Sequence, residues 1–502
     1  MFDETAFVKM KIILLFVLFL RKFRNPLRVK RIIRRSGVKP LNYVGGTKQM
    51  TKKIWVLVLV SALTLSLAAC GGGNKGDSAA SEGEGSSKAS GEKKVVKILH
   101  WKQENINKAM EEINADFEKQ YPEYKVDYTT TGPDDEYKQA QRARITANDV
   151  DILADLSGMR LSPQEWTPGA KVPDWQQWID SGLIADLSGQ EFIKNWNAND
   201  IEKAGTYNGK VYAVPTGKVA MSGLFYNKEI FEENGLSVPT TWSELLQLCE
   251  DLKAKGITPI GVAGKDVWPL KMPVFALQAK ILGGGDQQKW IEGVWKGETA
   301  YNDAEAVEVL EKMKTLQDNY MIDGFMGIDY ASAPAIFATG KVAMLADGSW
   351  DAPTIATANP DLKFGYFPLP ATEDAAKNAS FVGKYDVTWY VTEKGPNQEG
   401  ALKWLEFFSQ PENYTKFVKA AGFIPTQDNI STDSEFIDKE LTPYLGDFEL
   451  AYEIMMINRQ NVGEHLAAEG VHTEYLAPGG EFKSAKELAD VQQKEWEAAA
   501  PK

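Results

Sequence analysis

Cysteine and histidine are scarce in this chain. Its 502 residues include two cysteines, Cys70 and Cys249, and three histidines, His100, His465 and His472. So few thiols exclude a disulfide framework and a cysteine-based metal site. HExxH, GxSxG, a P-loop and a GxGxxG after a strand are all missing, so zinc hydrolysis, acyl transfer and nucleotide chemistry lack their parts. GGGD at 283–286 reads as a turn rather than a phosphate cradle. No metal and no cofactor is expected. Long apolar runs are also missing: Ile12 to Leu20 is short, and Ile54 to Ala69 is interrupted by Ser61, Thr64 and Ser66. Both fall below the roughly 20 apolar residues that a membrane span needs.

Basic charge is confined to one end. Residues 1–49 carry 12 Lys/Arg against Asp3 and Glu4, and Lys52 and Lys53 add two more; with −13 for the whole chain, residues 70–502 hold −25. A body that acidic does not track nucleic acid or adhere electrostatically to anionic lipid. Lys52-Lys53, an apolar stretch and the small residues before Cys70 form a secretory signal whose cleavage leaves Cys70 first. Leu67-Ala68-Ala69-Cys70 resembles a bacterial lipobox, which implies acylation of the Cys70 sulfur. Stable anchoring takes more than one acyl chain. Before it, Gly45-Gly46 can be encoded GGAGGT, a ribosome-binding sequence three codons ahead of Met50. Residues 1–49 are therefore expected to be translated leader, with residues 50–69 as the signal peptide. Residues 70–93, glycine, serine and charge without an apolar anchor, form a flexible tether with a reach of roughly 25–30 Å.

From Val95 the pattern is strand then helix. VVKILHW (95–101), YKVDYTT (124–130) and DILADLS (151–157) read as strands, and Ile106–Tyr121 and 135–148 as helices. This alternation predicts an α/β fold whose parallel strands carry a ligand crevice at their C-terminal ends. Trp101, Gln103 and Glu104 follow the first strand, and Asp155 and Ser157 end the third. The roughly 430 residues after the signal exceed one core, so two domains are expected. Cys249, in the apolar run WSELLQLCEDL, reads as a buried small hydrophobe.

Residues 208–260 (NGKVYAVPTGKVAMSGLFYNKEIFEENGLSVPTTWSELLQLCEDLKAKGITPI) resemble the extracellular solute-binding proteins of carbohydrate ATP-binding-cassette importers, the group that includes maltose-binding protein. So do DFEKQYPEYKV (116–126), ATGKVAMLADGSWDAPTI (338–355) and EGALKWLEFFSQPENYTKFVKAAGFIPTQ (399–427), in order over nearly the whole mature chain. The resemblance implies a two-lobe periplasmic-binding-protein-like fold with multiple hinge crossovers. Lobe 1 would comprise 94–218 and 377–427, and lobe 2 would comprise 219–376 and 428–502. It also implies closure around a carbohydrate, which the differential contact favours, and delivery by a monomer to integral-membrane permease subunits on the outer face of the bacterial cell membrane.

A sugar ring offers an apolar face to an aromatic plane and a rim of hydroxyls to polar groups. In the resembling family a stacking tryptophan occupies the position of Trp350, in DGSWD. Asp351 either takes sugar hydroxyls or caps the helix starting at Ala352. Trp268, in GKDVWPL, is similar to a sugar-contacting loop of lobe 2. Glu104 either accepts hydroxyls beside Trp101 and Gln103 or is solvated at a helix N-terminus. Asp155 stands where the maltose binder has an aromatic, so the sugar need not be a maltodextrin. Lys384 and Tyr385 lie on the return into lobe 1, and Tyr226 reads as structural. The alternatives are a same-fold binder of polyamine or a phosphorylated polyol, a surface glycan hydrolase, and an adhesive lectin that does not close. Arginine, which a phosphate would want, is scarce after residue 150.

Overall fold

The computed structural model describes residues 93–132, 135–155, 160–445, 449–466 and 472–501. The expected leader, signal, Cys70 and all but the last residue of the tether lie outside them, as does Ser157. The strands are β1 (Lys94–Trp101), β2 (Tyr124–Thr131), β3 (Ile152–Asp155), β4 (Thr206–Tyr207), β5 (Lys210–Val211), β6 (Ala213–Pro215), β7 (Lys218–Ala220), β8 (Gly223–Asn227), β9 (Thr258–Gly261), β10 (Val342–Ala346), β11 (Phe364–Pro368), β12 (Val382–Tyr385), β13 (Thr388–Val391) and β14 (Glu449–Leu450).

Two larger sheets carry the architecture. The first has the order β2-β1-β3-β13-β6, and the second β11-β8-β10-β9. In the first, β1 lies parallel to β2 and β3, while β13 runs antiparallel to β3 and β6. Its helix Glu104–Gln120 buries Ile106, Met110, Ile113 and Phe117, the stripe expected of one face turned to the sheet. The helix begins two residues before the expected Ile106, because Glu104 belongs to its first turn. The third strand covers Ile152–Asp155 of the run DILADLS, and its Asp155 reaches partly out of the core.

A third sheet, β14-β12-β7, joins the other two. β6 in the first sheet leads through β7 to β8 in the second, and β11 leads back through β12 to β13. The third passage is β14. It follows the helices Gln398–Phe408 and Pro411–Ala421, which pack with the first sheet's helix Glu104–Gln120. It precedes the helix Ala485–Ala498, which packs on Ala304–Asn319 of the second. The connecting strands fall at 218–220, 382–385 and 449–450. Several strands bending together restrict two lobes to rotation about one axis.

Tryptophans hold much of the core: Trp290, Trp389 and Trp404 are among the largest fully buried side chains. Cys249 is fully buried in the helix Trp242–Ala254. Burial pushes its thiol up to about 12, with Glu250 adding to the effect. Among the described residues no helix is long and apolar enough to cross a membrane, and no group of His, Cys, Asp or Glu could hold a metal ion.

Candidate functional site

The loop between β10 and the helix Ala352–Ala358 places Trp350. Gly348 is required there by close approach: a Cβ on it would collide with the Trp350 ring. The Ser349 hydroxyl accepts the Ala220 amide of β7 at 3.0 Å, which ties the loop to the connecting sheet. The indole Nε1–H donates to the Tyr330 hydroxyl at 2.7 Å. Tyr330 in turn lies 4.6 Å from Trp268, and Trp268 lies 6.3 Å from Trp350, ring centre to ring centre. Trp268 is presented by a tight turn in which its amide donates to the Asp266 carbonyl at 2.7 Å. Val267, at the centre of that turn, has φ 64°, a strained value for a β-branched residue.

The loop that carries Trp350 also holds two buried acids, both near Tyr330. Asp347 and Asp351 are both nearly fully buried, and Asp351 Oδ2 has no hydrogen-bond partner there. Burial pushes the carboxyls of both towards their protonated forms, and for Asp347 the neighbouring Asp351 adds to it. Burial and the same two acids also hold the Tyr330 hydroxyl well above the usual phenol range. Asp351 occupies the cap position of the helix at Ala352, yet its side chain makes no capping hydrogen bond.

The connecting sheet brings Lys384 to this wall. Its Nζ lies 5.9 Å from the centre of the Trp350 ring and 3.4 Å from Asp386. Side chains alternate along a strand, so Tyr385 turns the other way. Its hydroxyl donates to Asp200 at 2.8 Å, and Lys218 completes that group at 3.1 Å.

The first-sheet candidates form a separate set. Trp101 is buried at the end of β1, stacked on His100 at 4.1 Å and edge-on to Tyr137 at 5.5 Å. Burial pulls His100 down to about 4, so its ring is neutral and Nδ1–H donates to Trp101 O. Asp155 ends β3 near Tyr137 and Tyr390, and its charge helps to raise both phenols after burial itself. Gln103 stands at the N-cap of its helix without a side-chain capping bond. Glu104 is exposed and pairs with Lys108 at 3.6 Å, a solvated helix N-terminus.

Of the sequence candidates, Trp268, Trp350, Asp351 and Lys384 gather in one place, Trp101 and Asp155 in another, and Tyr385 joins neither. Tyr330, Asp347 and Asp386 complete the first group without having been singled out. DGSWD already contained Asp347, and Asp386 follows Lys384 by two residues, whereas Tyr330 carries no local signal and is recruited by packing.

Over residues 101–415 the chain matches the family of bacterial extracellular solute-binding proteins. It is 27% identical over 377 residues to the multiple sugar-binding protein of Streptococcus mutans, covering 74% of this chain and 81% of that one. The melibiose/raffinose/stachyose-binding protein MelE of Bacillus subtilis is 23% identical over 402 residues, covering 76% and 87%. Among solved structures, RafE in complex with raffinose superposes with a TM-score of 0.62 at 24% identity, covering 80% of this chain and 99% of that one. A Bacillus licheniformis sugar transporter protein in complex with stachyose gives 0.64 at 20%, covering 81% and 100%. The shared architecture is the two-lobe α/β fold, with the lobes joined by several crossing strands. Its sheets, its crossings and the span of the sequence match make this chain a member of the bacterial extracellular solute-binding protein family.

Proposed function

We propose that this protein captures a sugar between its lobes and delivers it to the permease of an ATP-binding-cassette importer, without breaking a bond in it. The observation that carries this reading is the aromatic wall of Trp268, Tyr330 and Trp350 with Lys384 beside it, at the point where the connecting strands meet the second lobe. Indole and phenol planes suit the C–H face of a sugar ring, while lysine and carboxyl groups suit its hydroxyl rim. Trp101 and Asp155 offer the same pairing from the first lobe. The sugar-binding relatives support the same class of ligand. Bound solute touching both lobes favours the closed form, which the permease would recognise.

In this reading lobe 1 comprises 94–218 with 377–427 and lobe 2 comprises 219–376 with 428–502. Lipid on Cys70 and the glycine- and serine-rich tether hold the monomer at the outer face of the cell membrane. Calorimetric titration with raffinose, stachyose, melibiose and other neutral oligosaccharides tests the binding claim. Trp350→Ala should lose most of the affinity, since a stacking anchor at an interface carries more than ~2 kcal/mol. Unchanged binding by that variant removes the wall from the site, and release of hydrolysis products makes the protein a glycan hydrolase instead. Small-angle scattering should show compaction on adding the bound sugar.

A further inference from the structure

The segment between β3 and the helix Asp174–Asp180 reaches from the first lobe to the second. Both of its ends are held in the first lobe. At one end the Trp175 indole donates to the Arg160 carbonyl at 3.1 Å, and Trp175 stands edge-on to Tyr207 of β4 at 5.1 Å. At the other, Lys171 lies two residues before Pro173, the N-cap of that helix, whose Trp178 stands edge-on to Tyr390 of β13 at 6.3 Å. Between these anchors, residues 169–171 pair antiparallel with 458–460. The Lys171 amide donates to the Asn458 carbonyl at 2.8 Å, the Gln460 amide to that of Gly169 at 3.2 Å, and Ala170 faces Arg459 across the bridge. The Leu161 amide donates to the Ile454 carbonyl at 3.1 Å.

The partner segment is fixed to the second lobe. The Trp295 indole donates to the Ile457 carbonyl at 2.9 Å. The Arg459 guanidinium lies 5.2 Å from the Trp295 ring centre and 4.1 Å from that of Trp496, and it donates to the Trp496 carbonyl at 2.7 Å. Trp496 belongs to the helix Ala485–Ala498, which packs on Ala304–Asn319. Gly169 also approaches Pro501, beyond the end of that helix. A Cβ on it would come within 2.6 Å of the proline ring, and its φ of +75° favours glycine. The contact begins beside the aromatic wall. Arg160 donates to the Glu453 carbonyl at 3.4 Å, Glu453 pairs with Lys271 at 3.8 Å, and its charge reaches Asp386, the neighbour of Lys384.

With each side anchored in its own lobe, rotation about the connecting strands cannot carry the segment along. The pairing of 169–171 with 458–460 has to part when the lobes separate. Hydrogen bonds made in one arrangement of the lobes and lost in the other favour the first.

We propose that residues 160–171 form a latch between the lobes, which parts to admit the sugar and re-forms over it. This deepens the sugar-clamping reading above and rests on it. The latch touches the second lobe through backbone groups and stabilises the closed form whether or not sugar is bound. Apparent affinity rises with the population of that form.

The test is Ala170→Cys/Arg459→Cys in the mature protein. In an antiparallel ladder a pair flanked by the hydrogen bonds, rather than joined by them, has Cα atoms roughly 4.5 Å apart, within reach of a disulfide. Comparing oxidised and reduced forms of this one variant cancels the loss of Arg459. Raffinose, stachyose and melibiose are the probes, followed by stopped-flow tryptophan fluorescence. Oxidation should slow association and release of a bound probe by roughly tenfold or more, and dithiothreitol should restore both. Rates indifferent to oxidation overturn the latch, because sugar then passes an intact pairing. Gly169→Ala/Lys171→Pro strains the turn and removes the Lys171 donor, and it serves also if the cysteine pair fails to fold. It should lower probe affinity by roughly tenfold. Equal or higher affinity overturns the latch while leaving sugar binding intact. If none of the probes binds, the sugar reading falls and small-angle scattering decides the latch. The oxidised cysteine pair should then be more compact than Gly169→Ala/Lys171→Pro, and equal radii overturn it.

Discussion

The indole N–H of Trp350 is satisfied by the hydroxyl of Tyr330 at 2.7 Å, and this one bond sets the plane of the aromatic wall. Tyr330→Phe keeps the ring against Trp268 but leaves a buried N–H without an acceptor. An unmet buried donor costs about 1–3 kcal/mol. Urea unfolding should report a loss in that range, and calorimetry a weaker sugar affinity, with Trp350 reoriented. Equal stability and affinity in the variant would mean that the bond does not position the indole.

Gly348 offers a second way to move the same ring. Since a Cβ there collides with the Trp350 indole, Gly348→Ala must displace the indole rather than the backbone of a neighbouring strand. Its φ of −79° is open to alanine, so the effect is on the ring and not on the turn. Sugar affinity should fall by roughly tenfold or more, as expected when a central aromatic anchor is disturbed. Tryptophan fluorescence of the ligand-free protein should shift as well.

His465 should make part of the stability depend on pH. Burial pulls its pKa down, but the carboxylates of Glu495 at 2.7 Å and Glu481 at 3.6 Å outweigh that and hold it above the ordinary value. A raised folded pKa contributes stability that is fully present below about 6.5, the unfolded value, and is lost as pH rises through the folded one. The difference in Tm between wild type and His465→Gln should therefore be largest in mild acid and shrink towards alkaline pH. A gap that widens with rising pH contradicts the pairing.

Cys249 should be inert in the native protein. Its thiol is fully buried and pushed up to about 12, so thiolate is almost absent at neutral pH. Iodoacetamide should label it only after denaturation. Rapid labelling under native conditions would show that the helix Trp242–Ala254 opens readily.

The segments that were legible in advance are those with a local cause. Ile106, Met110, Ile113 and Phe117 repeat at helical spacing and all face the first sheet. VVKILHW and YKVDYTT became β1 and β2, paired in register from Lys94 opposite Tyr124 to Trp101 opposite Thr131. Trp350 stands out for its place between the strand-like AMLAD and a helix start, and these became β10 and the helix Ala352–Ala358. Tyr385 reads as Lys384's companion in the sequence, but strand alternation sends it to Asp200. Glu104 belongs to a solvated helix start, which residue type alone does not separate from a ligand contact.

Composition and order along the chain determined the class of chemistry, the α/β alternation and the resemblance to a solute-binding family. These depend on neighbours a few residues apart, where backbone geometry fixes which side chains share a face. The tertiary structure alone decided that Tyr330 should hold Trp350. It alone set Lys271 opposite Glu453, 182 positions away in the chain. Such partners meet because three connecting strands converge between two sheets, and no pattern within any one segment records where the others will pass.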